Sequence, residues 1–323
     1  MHRIPKYLYV IGGCGLAAER EPISQIERIH VAESNEKGGA VRIVAENCGQ
    51  LKTARRAPAC FLTENRQILV AGGCLGPNNH TDSLEILNFD DNFQNSEILA
   101  EKLEVGASCS AFDPFSTSKF KPVFGGFETH SCLDNVQILD ESATWKCRKL
   151  SGSPKNLPKI KNSCALEVEN GEFLLFGGWE DEARTSKTIR RVIFNEDFTD
   201  FEVKFEGFLP YPVEGHSCVR RGSSVFLIGG FDGCFVIDTI VRYDLKTRKS
   251  EVLCEKLARK RENHVSAVLG DKYLVVAGGW DSRESLVDVE VFELLAEHKI
   301  QRRHVAGGGN LNFARNRPAG VPI

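Results

Sequence analysis

Short apolar runs of about five residues, separated by polar stretches, dominate this chain, and the three-and-four spacing of a long amphipathic helix is absent. Six of the runs end on a pair of glycines. They are YLYVIGG (Gly12, Gly13), QILVAGG (Gly72, Gly73), KPVFGG (Gly125, Gly126), FLLFGG (Gly177, Gly178), VFLIGG (Gly229, Gly230) and YLVVAGG (Gly278, Gly279). The first glycines follow one another at spacings of 60, 53, 52, 52 and 49 residues, so one unit is repeated along the chain.

Units two to six share an internal order. A strand with small or polar residues comes first (APACF, GASCSAF, KNSCAL, GHSCVRR, NHVSAVL), then a turn, then the strand that ends in Gly-Gly. A polar loop leads to a third strand (SLEILNF, NVQILD, IRRVIF, TIVRYDL, VEVFEL) and a weaker fourth (TWKCRKL, DFEVKF, KSEVLCE). The segment NSEILAEKLEVG supports a helical turn at most. A four-stranded antiparallel unit of about 50 residues cannot bury both faces alone, so its neighbours must supply the core. The expectation is an all-β chain: a six-bladed β-propeller of four-stranded antiparallel blades. The paired glycines are expected where the backbone turns or passes close to another segment. Tyr243, Phe292 and Trp145 are expected to fill the space between blades.

The Gly-Gly strand, followed by a strand with an aromatic (VRYDLKTRKS, VEVFEL) and in places a Trp (DESATWKC), resembles the kelch repeat over nearly the whole chain. Kelch units carry Tyr in the third strand and Trp in the fourth. Here the third unit has Leu139 at the Tyr-like position and keeps Trp145. The fifth keeps Tyr243 but has no Trp, the fourth has Phe194 and Phe198, and the second has Phe89 and Phe93. The resemblance implies a protein-binding scaffold or substrate-recognition module of the cytoplasm, in a family with ties to ubiquitin-ligase recruitment and the cytoskeleton. Receptors of that kind carry a BTB or F-box domain, and none is seen, since the first repeat begins within ten residues of the start.

The first unit lacks an inner strand. The C-terminal LNFARNRPAGVPI lines up with CEKLARKRENHVSAVLG, so residues 315–323 are expected to complete blade 1, closing the ring and making 1–323 a single domain. The run Gly307–Gly309 is expected to be a loop.

Composition narrows the function classes. The formal net charge of −3 lacks the basic excess of a nucleic-acid binder, and no run approaches the 18 apolar residues of a membrane helix. The start MHRIPKYLYVIGGCGLAA has the outline of a secretory leader, but Gly12-Gly13 break its apolar stretch, which matches internal segments. Eleven cysteines without a C-x-x-C pair suit reduced thiols in a cytoplasmic protein and give no zinc site, so no metal and no cofactor is expected.

No catalytic or nucleotide-binding motif is present. His216 and His264 occupy equivalent inner-strand positions and read as hydrogen-bonded packing residues. Arg56, Glu104, Lys161, Glu214, Arg261 and Arg317 fall near the starts of successive inner strands, which would ring one channel mouth with charge. Such a ring is solvated surface, a docking site or a catalytic one, and its four cations would suit a protein or acidic peptide partner. Trp179 and Trp280 directly follow their glycines, where they either pack on the next blade or anchor a partner at the rim. Acids stand one position later (Glu128, Glu180, Asp232, Asp281), placed to order those loops by hydrogen bonding. The candidate binding set is therefore Arg56, Lys161, Arg261, Arg317, Trp179 and Trp280, without nucleic acid or membrane. The alternative is a six-bladed kelch-type carbohydrate-active enzyme such as a sugar epimerase. A copper site of the galactose oxidase kind is not supported, because four of the five tyrosines sit in or beside repeat strands.

Overall fold

The computed structural model describes residues 4–15, 21–33, 39–89, 93, 96–150, 157–181, 184–296 and 299–323. His2, His298 and parts of the loops after Gly13 and Gly178 lie outside them. Among the described residues the chain is all-β, with one short 3-10 turn at Glu141–Ala143.

Among the described residues, one sheet per repeat unit follows the next along the chain, and a small three-stranded sheet (Ile160–Lys161, Trp179–Glu180, Arg184–Thr185) and two two-stranded ones (Cys74–Gly76 with Asn79–His80, Phe127–Glu128 with Ser131–Cys132) lie in the connections. Sheet I runs from the inner strand outward as Ala319–Pro322, Leu8–Ile11, Gln25–Glu33 and Val41–Gln50. Sheet II is Ala59–Leu62, Gln67–Ala71, Ser83–Asn88 and Glu97–Lys102. Sheet III is Phe120–Phe124, Val136–Asp140 and Lys146–Leu150. Sheet IV is Cys164–Glu169, Glu172–Phe176, Thr188–Phe194 and Phe201–Phe208. Sheet V is Ser217–Arg221, Ser224–Ile228, Thr239–Asp244 and Lys249–Lys256. Sheet VI is Val265–Leu269, Tyr273–Ala277, Leu286–Ala296 and Lys299–Arg302, with Asn310–Arg315 added onto Leu286–Ala296. The last strand of the chain pairs antiparallel with the first, in the register Leu8↔Pro322 to Ile11↔Ala319.

Burial follows from this stacking. The strands that end in Gly-Gly are buried on both faces, as in Ser224–Ile228 and Tyr273–Ala277, while the fourth strands alternate outward, as in Lys249–Lys256. The core lies between sheets. One cluster joins Tyr9 and Ile11 to Ile68 and Val70, and the next joins Phe61 and Leu69 to Val123, Leu139 and Trp145. Phe124 and Ile138 meet Phe173 and Val192, and Leu174 and Phe176 meet Leu227 and Tyr243. Phe226 and Ile228 meet Leu274 and Phe292, and Val275 and Val291 meet Leu8 and Val10. The aromatics at the repeat positions thus pack between sheets, and the last sheet packs on the first.

The double glycines are explained by the same stacking. Gly177 has a positive φ of 55°, and a Cβ there would collide with the carbonyl oxygen of Val213, on the connection that leads into the next sheet. That carbonyl accepts the N–H of Gly178 at 2.8 Å. At the second sheet a Cβ on Gly72 would lie 2.6 Å from the Ala107 oxygen, which accepts from Gly73 at 2.7 Å. The first glycine lets the neighbouring backbone in, and the second bonds to it.

Two local expectations are corrected. The segment expected to form at most a helical turn contains strand Glu97–Lys102, held as the outer strand of its sheet by Ser83–Asn88. The inner strand expected at GASCSAF is reduced to two isolated bridges, Ser108 with Phe127 and Ala111 with Phe124. Two residues further along, the partner strand has Pro122, which offers no N–H to continue the ladder.

Candidate functional site

The site grows out of the turn that enters each inner strand. One residue there takes a left-handed conformation: Ala57 (φ 51°), Cys109 (57°), Asn162 (53°), Gly215 (61°), Asn263 (53°) and Arg317 (56°). Such geometry is costly outside glycine, and here each N–H is matched by a carbonyl of the preceding turn. Cys109 donates to Ala57 (3.1 Å), Asn162 to Cys109 (2.9 Å), Gly215 to Asn162 (2.8 Å) and Asn263 to Gly215 (2.6 Å). Arg317 donates to Asn263 (3.0 Å), and Ala57 donates to Arg317 (2.8 Å), so the sixth bond returns to the first residue.

Just before that ring stand Arg56, Ser108, Lys161, Glu214, Glu262 and Asn316. They pair through backbone with Cys74, Phe127, Trp179, Phe231, Trp280 and Cys14, the residues that directly follow the glycine pairs. These two layers frame a funnel of about 500 Å³, lined among others by Arg56, His80, Phe127, Lys161, Trp280 and Arg317. Below the ring lies a second space of about 120 Å³, lined by Ser163, His216 and His264 among others.

The funnel is mixed in charge. Lys161 Nζ lies 4.4 Å from the ring centroids of both Phe127 and Trp179, a cation held between two aromatic faces. Arg317 donates to Cys109 Sγ at 2.7 Å. Glu214 accepts from Asn162 at 2.8 Å and from Thr185 at 3.2 Å. Burial pushes the Glu262 carboxyl up, Arg317 pulls it back, and Glu214 adds to the rise. The acids one position after the aromatics order their loops as expected at two places. Asp232 accepts from the N–H groups of Cys234 and Phe235, and Asp281 from those of Arg283 and Glu284.

Arg56, Lys161 and Arg317 meet at the funnel, with Trp280 on its wall and Trp179 behind Lys161, while Glu214 stands in the same layer of turns, bonded to Asn162 and Thr185, without lining the space. Arg261 does not, and is corrected. It is fully buried and donates to the Gly278 and Asp288 carbonyls and to the carboxylates of Asp288 and Glu290. Arg55 with Glu85 and Arg315 with Glu27 repeat that arrangement, each ion pair fully shielded from solvent. Glu104 is exposed on the preceding connection, beside Val105, whose backbone is clamped by Gln137. The residue reasoning missed at the mouth is Glu262. Aligning the units on Asn162, Gly215 and Asn263, residue types that accept positive φ, puts Glu262 and not Arg261 beside Lys161 and Glu214. Among the described residues no group of three His, Cys, Asp or Glu side chains is placed to hold a metal, and no helix is long and apolar enough to cross a membrane.

Comparison with known proteins bears on the repeat and the architecture. The KLHDC2/KLHL20/DRC7 Kelch-repeats domain matches residues 122–279. The mouse (Mus musculus) Rab9 effector protein with kelch motifs is 27% identical over 113 residues, which cover 34% of this chain and 29% of that protein. The frog (Xenopus tropicalis) Kelch domain-containing protein 10 is 26% identical over 165 residues, 50% of this chain and 40% of its own length. The alignments thus span well under half of these relatives. Among solved structures, that of YjhT superposes with a TM-score of 0.66 at 12% identity, covering 94% of this chain and 99% of the other, a likeness of fold. The repeated double-glycine strand, the stacked sheets and these matches together support a kelch-repeat family for this chain and a propeller-like fold.

Proposed function

We propose that residues 1–323 form one closed six-bladed propeller whose funnel docks an acidic segment of a protein partner, without catalysis. The closure rests on the pairing of Ala319–Pro322 with Leu8–Ile11 and on the circle of turn-to-turn hydrogen bonds. The observation that carries the docking reading is the funnel itself. Arg56, Lys161 and Arg317 converge on a space of about 500 Å³ that also offers the Phe127 and Trp280 rings. A carboxylate side chain entering there meets cations preorganised by aromatic contact and by the ring, with Glu262 on the wall as an opposing acid and Glu214 beside it already engaged by Asn162 and Thr185. The kelch-bearing Rab9 effector, a binder of another protein by its name, supports the same class of activity. The test is selection from a displayed peptide library on the immobilised chain. Enrichment of peptides with clustered Asp or Glu is expected, and enrichment blind to charge would reject the docking reading.

A second reading, a carbohydrate-active enzyme, draws on one feature: Glu262, whose carboxyl is pushed up by burial, stands beside Glu214, so two carboxyl groups lie side by side at the funnel. Turnover of a sugar panel by the wild type, lost in Glu262→Gln, would favour it over docking.

A further inference from the structure

The neighbouring inner strands Cys164–Glu169 of sheet IV and Ser217–Arg221 of sheet V lie side by side on the channel wall. Each carries a cysteine, Cys164 and Cys218, and both are partly exposed. Their positions are related by the repeat to a pair one sheet further on. Cys164 is two residues past the left-handed Asn162, as Ser217 is past Gly215. Cys218 is three past Gly215, as Ser266 is past Asn263. In that second pair Ser266 donates to Ser217 Oγ at 2.7 Å, and Ser217 Oγ also meets His264 Nε2 at 2.8 Å. One step further round, Val265 and Gly320 hold the same two positions, and a Cβ on Gly320 would lie 2.9 Å from that of Val265. The register therefore brings these side chains together sheet after sheet, the close approach on which a disulfide depends.

The counterpart of His264 beside the cysteines is His216. It is buried, and neither of its ring nitrogens has a hydrogen-bond partner. Cys164 Sγ lies 2.8 Å from the His216 carbonyl oxygen and Cys218 Sγ 3.8 Å from that of Ala165. Burial alone would raise the Cys164 thiol, but the Cys218 thiol and His216 outweigh it and hold Cys164 below the ordinary thiol range, while Cys218 is pushed the other way. Ser163 and His216 line the space below the ring, and Leu166 and Val219 line a cavity of about 610 Å³ on the far side. The pair thus lies between these two spaces, flanked by their lining residues Ser163, His216, Leu166 and Val219.

We propose that Cys164 and Cys218 form a peroxide-oxidised dithiol site that links sheets IV and V, with His216 as the proton acceptor for Cys164. The Cys164 thiolate attacks one oxygen of hydrogen peroxide. An S–O bond forms and the O–O bond breaks, the sulfur gives up two electrons, and the leaving hydroxide takes the proton from His216 and departs as water. Cys218 Sγ then attacks the sulfenic sulfur. The S–S bond forms, the S–O bond breaks, and hydroxide leaves with the Cys218 proton as a second water. One peroxide and two thiols give one disulfide and two waters.

The experiment treats the full chain with hydrogen peroxide, blocks remaining thiols, and maps linked peptides by mass spectrometry with and without dithiothreitol. A reducible Cys164–Cys218 link is expected, together with a higher unfolding midpoint that Cys218→Ser does not show. In Cys218→Ser, Cys164 should stop at a sulfenic acid trapped by dimedone. His216→Asn should slow linkage by about tenfold or more while oxidation of the exposed Cys234 keeps its rate. Oxidation of Cys234 and Cys254 with no Cys164–Cys218 link would overturn the site. Equal linkage rates in His216→Asn would overturn the role given to His216.

Discussion

Glu85 and Arg55 meet where neither side chain touches solvent, 3.2 Å apart, and Glu85 also accepts the backbone N–H of Lys52 at 2.6 Å. A charge buried in this way is tolerable only with its partner. Glu85→Ala is expected to lower stability by about 3–5 kcal/mol in urea unfolding, with the double change Arg55→Met and Glu85→Leu recovering most of it. A loss under about 1 kcal/mol in the single variant would show that Arg55 finds another partner. His264 carries a prediction in pH. Burial holds its pKa well below the ordinary value, with Arg261 and His216 adding to the effect. The unfolded chain therefore binds a proton below about pH 6.5 that the folded chain refuses, so His264 takes stability away as pH falls. Against His264→Gln, the wild type should lose about 1.4 kcal/mol per pH unit from pH 6 to 5. Parallel stability curves would refute this. At this scale the sequence exposed residue types but not their burial. Arg261 and Lys161 look alike in the string, yet one reaches into a charged interior and the other stands between two aromatic rings.

Elements were the most legible level, because each Gly-Gly strand meets the same constraint: a neighbouring backbone pressing on the first glycine and bonding to the second. Val321 and Ala319, near the C-terminus, are buried and their strand pairs with Leu8–Ile11, the place that the alignment of LNFARNRPAGVPI with CEKLARKRENHVSAVLG assigned to it. Removing residues 319–323 should uncover the edge of a strand buried along its whole length and cost about 5 kcal/mol or more. Thermal unfolding reads this, and an unchanged midpoint would disconnect the final strand from the stability of the whole. What stayed hidden was decided by partners. Glu97–Lys102 has the composition of a helix and is a strand because Ser83–Asn88 templates it. GASCSAF has the composition of a strand and is mostly loop because its partner contributes Pro122.

Across the whole molecule, the repeat turns separate sequence positions into one funnel. That a mouth would gather charge from successive units was readable from the sequence. Its membership was not, since one residue of register separates the buried Arg261 from Glu262 on the wall, and the spacing of polar residues does not fix that register. The funnel's aromatic component was half visible: Trp179 and Trp280 stand out, but the clasp of Lys161 by Phe127 and Trp179 exists only after folding. The most direct measurement is calorimetric titration of a library-selected acidic peptide into the wild type and into the double variant Arg56→Glu, Lys161→Glu, at two salt concentrations. The expected result is a variant that unfolds like the wild type but binds at least about tenfold more weakly, with the salt dependence of binding reduced. Equal affinities in the two proteins would contradict docking at this mouth.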